Sequence, residues 1–225
     1  MSKTAAKAKN QSPVMGIIKD TLIIFAITLV AGGVLGFVYE LTKAPIEKQK
    51  LQKQADACSE VFLVADGEGN MVSSEPLTFE RVNVNQTARS AVAAAADTKA
   101  DITDAYEART MDGDLYGYVI EVTTKEGYGG DIRLYMGVTA EGRLMGISIL
   151  EIHETPGLGM RAPEVLVPQF RDRKGPEFTV TKNGAVAENE IDAITSATIT
   201  SKAVTRGVNY GMKYFEELTK GGDEQ

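Results

Sequence analysis

An uncharged apolar run stands near the start of the chain. Residues 21–39 (TLIIFAITLVAGGVLGFVY) contain no charged side chain. As a helix rising about 1.5 Å per residue they would extend roughly 28 Å, close to the hydrocarbon thickness of a bilayer. A cleaved signal peptide has a shorter apolar region and a small-residue cleavage site, which we do not find here. The pattern predicts one transmembrane helix at 21–39, preceded by a short segment, residues 1–20.

A helical period continues after the apolar run. Residues 42–62 (TKAPIEKQKLQKQADACSEVF) place these apolar side chains on one predicted helix face: Ile46, Leu51, Ala55, Cys58 and Val61. We interpret this helix as a stalk, and residues 40–99 as the stalk with the N-terminal part of a domain. Cys58 is expected to be a small buried residue more than a reactive thiol. The Ala-rich residues 87–108 are expected to be helical in part.

The pattern changes to that of strands at Leu115. Residues 115–124, 131–139 and 144–153 are rich in β-branched and aromatic side chains, and the turn AEGR joins the last two. A further strand is predicted at 177–181. A final helix from about Thr200 to Leu218 carries four apolar residues on one face, namely Val204, Val208, Met212 and Phe215. This order predicts an α+β fold, an antiparallel sheet with packed helices, preceded by one N-terminal transmembrane helix.

Composition narrows the possible partners and cofactors. The net charge of -7 and a pI near 4.9 argue against nucleic acid as a partner. One Cys and one His exclude a disulfide framework within the chain and leave too few ligands for a multi-cysteine metal centre or a typical zinc site. We therefore predict no metal, and any redox chemistry would need an organic cofactor.

Lysine residues lie on both sides of the predicted span in equal number, so they do not decide its orientation. Only about twenty residues precede the span, whereas the segment after it is long enough to be translocated regardless of charge. This favours a cytoplasmic N-terminus and an extracytoplasmic domain.

Two glycine-rich loops follow predicted strands. The first is EGYGGDI at 126–132, and the second is HETPGLGMRAPE at 153–164. Glycine permits positive φ and close approach of the backbone to a flat ligand. An ordinary tight turn is an equal alternative for the first loop.

Hydroxyl side chains are concentrated just before the final helix, in IDAITSATITSKAV at 191–204. Thr195, Ser196 and Thr198 stand where that helix begins, a place that favours a bound phosphate. Lys202, one turn later, would add a positive charge or lie in solvent. The spacing of a Walker loop is absent. On the residues alone, a helix N-cap with surplus hydroxyls is the stronger alternative.

The same stretch resembles a flavin attachment signature. DAITSAT at 192–198 is similar to D-x-x-[S/T]-[G/S]-A-T, at whose terminal Thr a flavin transferase attaches FMN through a phosphoester. ETPGLG at 154–159 and GYGG at 127–130 resemble the other segments of that FMN-binding domain. Over its whole length the chain resembles the G subunit of the Rnf complex, which couples electron transfer between ferredoxin and NAD to ion translocation.

The resemblance implies roles for particular residues. Thr198 would carry covalent FMN, Asp192 would belong to the motif that the transferase recognises, and Ser196 occupies a position often held by Gly. The remaining cofactor-binding residues would be Thr195, Ser196, Ala197 and Lys202 near the phosphate, and Tyr128, Gly129, Glu154, Thr155, Gly157, Leu158 and Gly159 around the isoalloxazine ring. Of these, Thr155 and Leu158 are the expected ring contacts. Glu154 would accept a hydrogen bond from the flavin or cap a turn.

The implied function is electron relay, without catalysis by this chain alone. Residues 100–220 would form the FMN-binding domain on the periplasmic side of a bacterial inner membrane. The implied partners are the other membrane and electron-transfer subunits of the Rnf complex, and the flavin transferase during maturation. Two alternatives stay open: the C subunit of a sodium-translocating NADH:quinone reductase, and a membrane-tethered binding or assembly protein without redox activity.

Overall fold

A long helix, α1 (Pro13–Glu60), opens the computed structural model, which describes residues 13–65, 71–73, 75–175 and 177–220. Within α1, the 29 residues Met15–Lys43 are long and apolar enough to cross a membrane, judged by length and composition. This confirms the predicted N-terminal apolar helix and extends it at both ends. Residues 1–12 of the predicted leading segment lie outside the described residues. The chain divides between Leu51 and Gln52 into two compact units.

The second unit is built on a five-stranded antiparallel sheet. Its strands are β3 (Leu77–Val82), β4 (Ala100–Thr110), β5 (Leu115–Thr124), β6 (Ile132–Thr139) and β7 (Leu144–Ile152), which lie side by side in that order. The three strands predicted from Leu115 onward are therefore confirmed, together with the predicted α+β fold class. The expectation that the Ala-rich residues 87–108 are helical in part is confirmed by α2 (Gln86–Ala95). Strand β4, which the sequence pattern did not predict, takes up most of the remainder.

Burial and pairing explain why β4 is a strand. Ile102, Ala105 and Ala108 are buried, and β4 bonds to strands on both its sides. Helix propensity is a weak preference, and a central place in a sheet outweighs it. Between β3 and β4, α2 is capped by Asn85, whose side-chain oxygen accepts from the amides of Thr87 and Ala88.

Two small sheets and the last helix complete the domain. The small sheets pair β1 (Leu63–Ala65) with β2 (Met71–Ser73), and β8 (Thr179–Thr181) with β9 (Glu190–Asp192). The strand predicted at 177–181 thus forms only at its end, and it pairs in parallel with β9 outside the main sheet. Between β7 and β8 lie three short helical turns, Gly159–Arg161, α3 (Ala162–Val165) and Val167–Phe170. The last helix is α4 (Thr198–Lys220).

Helix α4 covers one face of the main sheet. Val204, Val208 and Phe215 are buried there, and Met212 is partly buried, which confirms the predicted apolar face. Helix α2 packs beside α4, and the Tyr214 hydroxyl accepts a hydrogen bond of 2.9 Å from the Asn85 amide. This face holds the larger of the two cores.

The end of α1 and the two residues after it cover the other face of the sheet. Ala57, Cys58, Val61 and Phe62 are buried against residues of the sheet, among them Val119 and Tyr135. A Cβ at Gly137 would lie 2.8 Å from Val61 Cγ2, and one at Gly146 would lie 3.1 Å from the Val61 carbonyl oxygen. The absence of side chains at these two neighbouring glycines therefore allows Val61 to pack closely on the sheet.

The predicted apolar face of the stalk is only partly correct. Cys58 and Val61 are buried as expected, but Ile46 is 57% exposed and Ala55 is exposed. Burial, with the nearby carboxylates of Glu121 and Asp104, raises the pKa of the Cys58 thiol to about 12. The thiol therefore stays protonated at neutral pH and is unreactive, as expected for a structural cysteine.

Candidate cofactor site

Three segments distant in the sequence meet at one end of the main sheet. Thr124, Ile132 and Ile152 lie side by side in the register of β5, β6 and β7. The loop between β5 and β6 and the loop after β7 therefore emerge together, beside the start of α4. They enclose a cleft of about 470 Å³, lined by Tyr128, Glu154, Thr155, Leu158, Gly159, Ser196, Ala197, Thr198, Ile199 and Thr200.

The Glu154 side chain joins the two loops. Its carboxylate accepts a hydrogen bond of 2.8 Å from the Tyr128 amide and one of 3.3 Å from the Gly129 amide. The residue is only 8% exposed. The sequence left open whether Glu154 accepts a hydrogen bond from a flavin or caps a turn. In the structure its oxygens accept hydrogen bonds from the neighbouring loop.

Both loops hold glycine at positions where a side chain would not fit or where φ is positive. A Cβ at Gly129 would overlap the carbonyl oxygen of His153, and one at Gly159 would lie 2.8 Å from the Glu154 Cβ and 2.7 Å from the Thr200 Oγ1. Gly157 has a φ of +76°, in the left-handed region that favours glycine. The glycines thus allow the loops to pack on each other beside the cleft.

A tight turn leads from β9 into α4. The Ala197 amide donates to the Ile194 carbonyl at 2.9 Å. The buried Ser201 hydroxyl accepts from the Ile194 amide and donates to the Ala197 carbonyl, each at 3.0 Å. Ser201 therefore fixes the turn from within the helix, a role that sequence patterns did not reveal.

Thr198 is the first residue of α4 and is half-buried in the wall of the cleft. The first amides of a helix have no partner within the helix, and its N-terminus carries a partial positive charge. Thr200 also lines the cleft and is buried. Sequence patterns missed Thr200, because its place in the cleft depends on the approach of the loop after β7.

The other predicted site residues lie outside the set that lines the cleft. Thr195 and Lys202 are exposed. Asp192 is half-buried in β9, where its backbone amide donates to Gln169 Oε1 at 2.7 Å. Gly129 and Gly157 stand in the two loops without lining the cleft. Their roles toward a cofactor stay predictions.

Replacing Ser196 by Gly is expected to stabilise the domain by about 0.5–1 kcal/mol. Ser196 has a φ of 64°, and the left-handed conformation costs a residue with a Cβ roughly 1–2 kcal/mol. Part of that gain is offset by the greater freedom of Gly in the unfolded chain. Chemical denaturation measures the difference, with Ser196→Ala as the control that keeps the Cβ and should change little. A Ser196→Gly variant less stable than the wild type would contradict this account.

Comparison with known proteins places these features in a family. Residues 127–213 match the family model of the FMN-binding domain, and residues 15–61 match that of the RnfG N-terminal region. The crystal structure of NqrC from Shewanella oneidensis overlaps 52% of this chain and 61% of its own, with 19% identity and a TM-score of 0.44.

Two curated proteins are similar over nearly the whole chain. The G subunit of the Na(+)-translocating ferredoxin:NAD(+) oxidoreductase complex of Acetobacterium woodii is 32% identical over 91% of this chain and 94% of its own. The G subunit of the proton-translocating complex of Clostridium ljungdahlii is 31% identical over 96% of this chain and 99% of its own. The chain belongs to the family of G subunits of the ion-translocating ferredoxin:NAD(+) oxidoreductase (Rnf) complexes.

Proposed function

We propose that this chain is an electron-transfer subunit of a membrane Rnf complex and carries FMN attached through a phosphoester to the Thr198 hydroxyl. The observation that carries the proposal is the position of Thr198. It begins α4 and lines the same cleft as both glycine-rich loops, within the match to the FMN-binding domain. The attachment itself rests on the resemblance of residues 192–198 to the flavin attachment signature.

The residues at the cleft suit the two ends of FMN. A phosphate joined to Thr198 would meet the free amides and the positive end of α4, with Thr195 and Ser196 beside it. Leu158, Ile199 and Tyr128 offer apolar surface to a flavin ring. The cleft volume of about 470 Å³ is ordinary for a small-molecule site. The group and the residues therefore fit.

In this proposal the protein holds the cofactor and the cofactor supplies the redox chemistry. A flavin accepts one or two electrons, and the surrounding protein tunes its potential and limits its access to other reactants. The chain contributes an attachment point at Thr198 and two loops held together by Glu154. Other subunits of the complex would deliver and remove the electrons.

In this proposal the apolar helix anchors the domain in the membrane. Residues 1–20 would be cytoplasmic, 21–39 would span the bacterial inner membrane, 40–99 would form the stalk and the first part of the domain, and 100–220 the FMN-binding domain on the periplasmic side. Covalent attachment then has a physical purpose, because FMN lost outside the cytoplasm would not be replaced. The partners would be the flavin transferase and the other Rnf subunits.

Intact mass spectrometry tests the attachment. Coexpression of the full chain with a flavin transferase is expected to add about 438 Da, the mass of FMN less water. Thr198→Ala should abolish the addition, because no hydroxyl remains at that position. Thr200→Ala is the matched control, since it removes the neighbouring hydroxyl of the same cleft and should keep the adduct. An adduct that persists in Thr198→Ala, or its absence from the wild type beside an active transferase, would reject the proposal.

A further inference from the structure

The Glu154 carboxylate is a buried acidic group in the wall of the cleft. It is 8% exposed, and two basic side chains of nearby segments pair with other acids. His153 pairs with Glu151, and Arg206 pairs with Glu126. Among the described residues, no Lys, Arg or His forms an ion pair with Glu154. Of the donors in the described part of the chain, the amides of Tyr128 and Gly129 alone donate hydrogen bonds to its oxygens.

This carboxylate is also fixed in place. A Cβ at Gly127 would lie 2.9 Å from Glu154 Oε1, and a Cβ at Gly159 would lie 2.9 Å from Glu154 Oε2. Each oxygen therefore lies close to a glycine of one loop, where any larger residue would meet it. The amides that donate to the Glu154 side chain belong to the loop between β5 and β6, whereas the Glu154 backbone belongs to the loop after β7. A change of its rotamer would therefore break the hydrogen bonds between the two loops.

We infer that Glu154 lowers the reduction potential of the flavin held in this cleft. The inference rests on the proposed function and assigns a further role to the same site. Electrons added to a flavin ring bring negative charge into the cleft, and a carboxylate fixed nearby in low-dielectric surroundings opposes that charge. The two backbone donors weaken this effect without cancelling it, because they carry only partial charges.

The expected size follows from Coulomb's law. At a separation of roughly 10 Å and an effective dielectric constant of about 20, a unit charge changes the equilibrium for adding one electron by a factor on the order of ten. A tenfold change corresponds to about 59 mV for a one-electron couple. Exposed carboxylates have a smaller effect, because solvent screens them.

The test is a spectroelectrochemical titration of full-length protein loaded with FMN by the transferase. Glu154→Gln removes the charge and keeps the size of the side chain. At the wild-type midpoint potential, this variant should show a reduced-to-oxidised ratio about tenfold higher. Glu151→Gln is the matched control, because Glu151 is an exposed carboxylate three residues earlier, and its ratio should stay within about twofold of the wild type.

Glu154→Asp separates charge from structure. It keeps the carboxylate but shortens the side chain, so the contacts between the loops are weakened while the charge remains near the cleft. We expect its ratio to stay close to that of the wild type, although thermal unfolding of the unloaded protein should show that both Glu154 variants are less stable. Equal shifts in Glu154→Asp and Glu154→Gln would assign the effect to loop geometry and overturn the inference.

The remaining outcomes are also distinct. An unchanged ratio in folded Glu154→Gln rejects the inference and leaves the proposed function intact. A wild-type chain that takes up no FMN rejects the proposed function and the inference with it. If Glu154→Gln does not fold, Glu154→Ala takes its place. This variant also removes the charge, and it places no amide donor against the Gly129 amide. An unchanged reduced-to-oxidised ratio in Glu154→Ala rejects the inference equally.

Discussion

Chains that begin at Gln52 are expected to fold into the domain, whereas chains that begin at Leu63 are expected to stay unfolded. The residues that separate the two fragments include Val61 and Phe62, which are buried in the core on the second face of the sheet. Full burial of such side chains contributes about 1.5–3 kcal/mol each. Their removal also exposes Val119 and Tyr135. The combined loss is comparable with the total stability of an ordinary domain, about 5–15 kcal/mol.

Circular dichroism and denaturant unfolding of the two fragments measure this difference. A single substitution controls for effects of truncation alone: Phe62→Ala in the fragment from Gln52 should cost about 3–5 kcal/mol. A cooperative unfolding transition of normal size in the fragment from Leu63 would show that the end of α1 is dispensable for the fold.

Substitution of Gly211 by Ala is expected to destabilise the domain by up to about 2 kcal/mol, whereas Gly207→Ala should stabilise it by up to about 1 kcal/mol. Both residues lie on the buried face of α4. A Cβ at Gly211 would overlap the sulfur of Met136 and lie 3.0 Å from Val122 Cγ2. A Cβ at Gly207 would meet its nearest atom, Thr124 Cγ2, at an ordinary 3.6 Å.

The opposite signs have one physical origin. Ala is preferred to Gly within a helix by about 0.8–1 kcal/mol at either position. At Gly211 this gain is outweighed by overpacking against the buried Met136, which typically costs about 1–3 kcal/mol. Equilibrium denaturation of the two variants side by side tests the pair. Equal stabilisation by both substitutions would mean that Met136 moves aside at little cost and that α4 does not depend on Gly211 for its distance from the sheet.

Periodic patterns predicted much of this fold. The strands β5, β6 and β7 were located from their β-branched and aromatic residues and the turn between the last two, and the helix α4 from apolar residues at helical spacing, because both signals are local in the sequence. Strand β4 was missed because its Ala and Asp residues favour no strand by themselves. Its conformation comes from pairing on both sides, which a local pattern does not contain.

Some of the residues that line the cleft were predicted, because short motifs are local in the sequence. Short motifs identified the two glycine-rich loops and the turn at Thr198, and the structure brings most of those residues to one cleft. The contact of Glu154 with the amides of Tyr128 and Gly129 crosses between two loops, so no local pattern indicates it. For Lys202 the local pattern was misleading. It lies only one turn after Thr198 in the sequence, but its side chain is exposed to solvent.

The burial of Cys58 has a practical consequence for mapping the assembly. It is the only cysteine in the chain, and its protonated thiol lies inside the core. A single cysteine placed at an open position, such as Val186 with 92% of its surface exposed, would therefore be the one site that maleimide probes or crosslinkers modify. Distances from that site to neighbouring subunits can be measured without first removing the native cysteine.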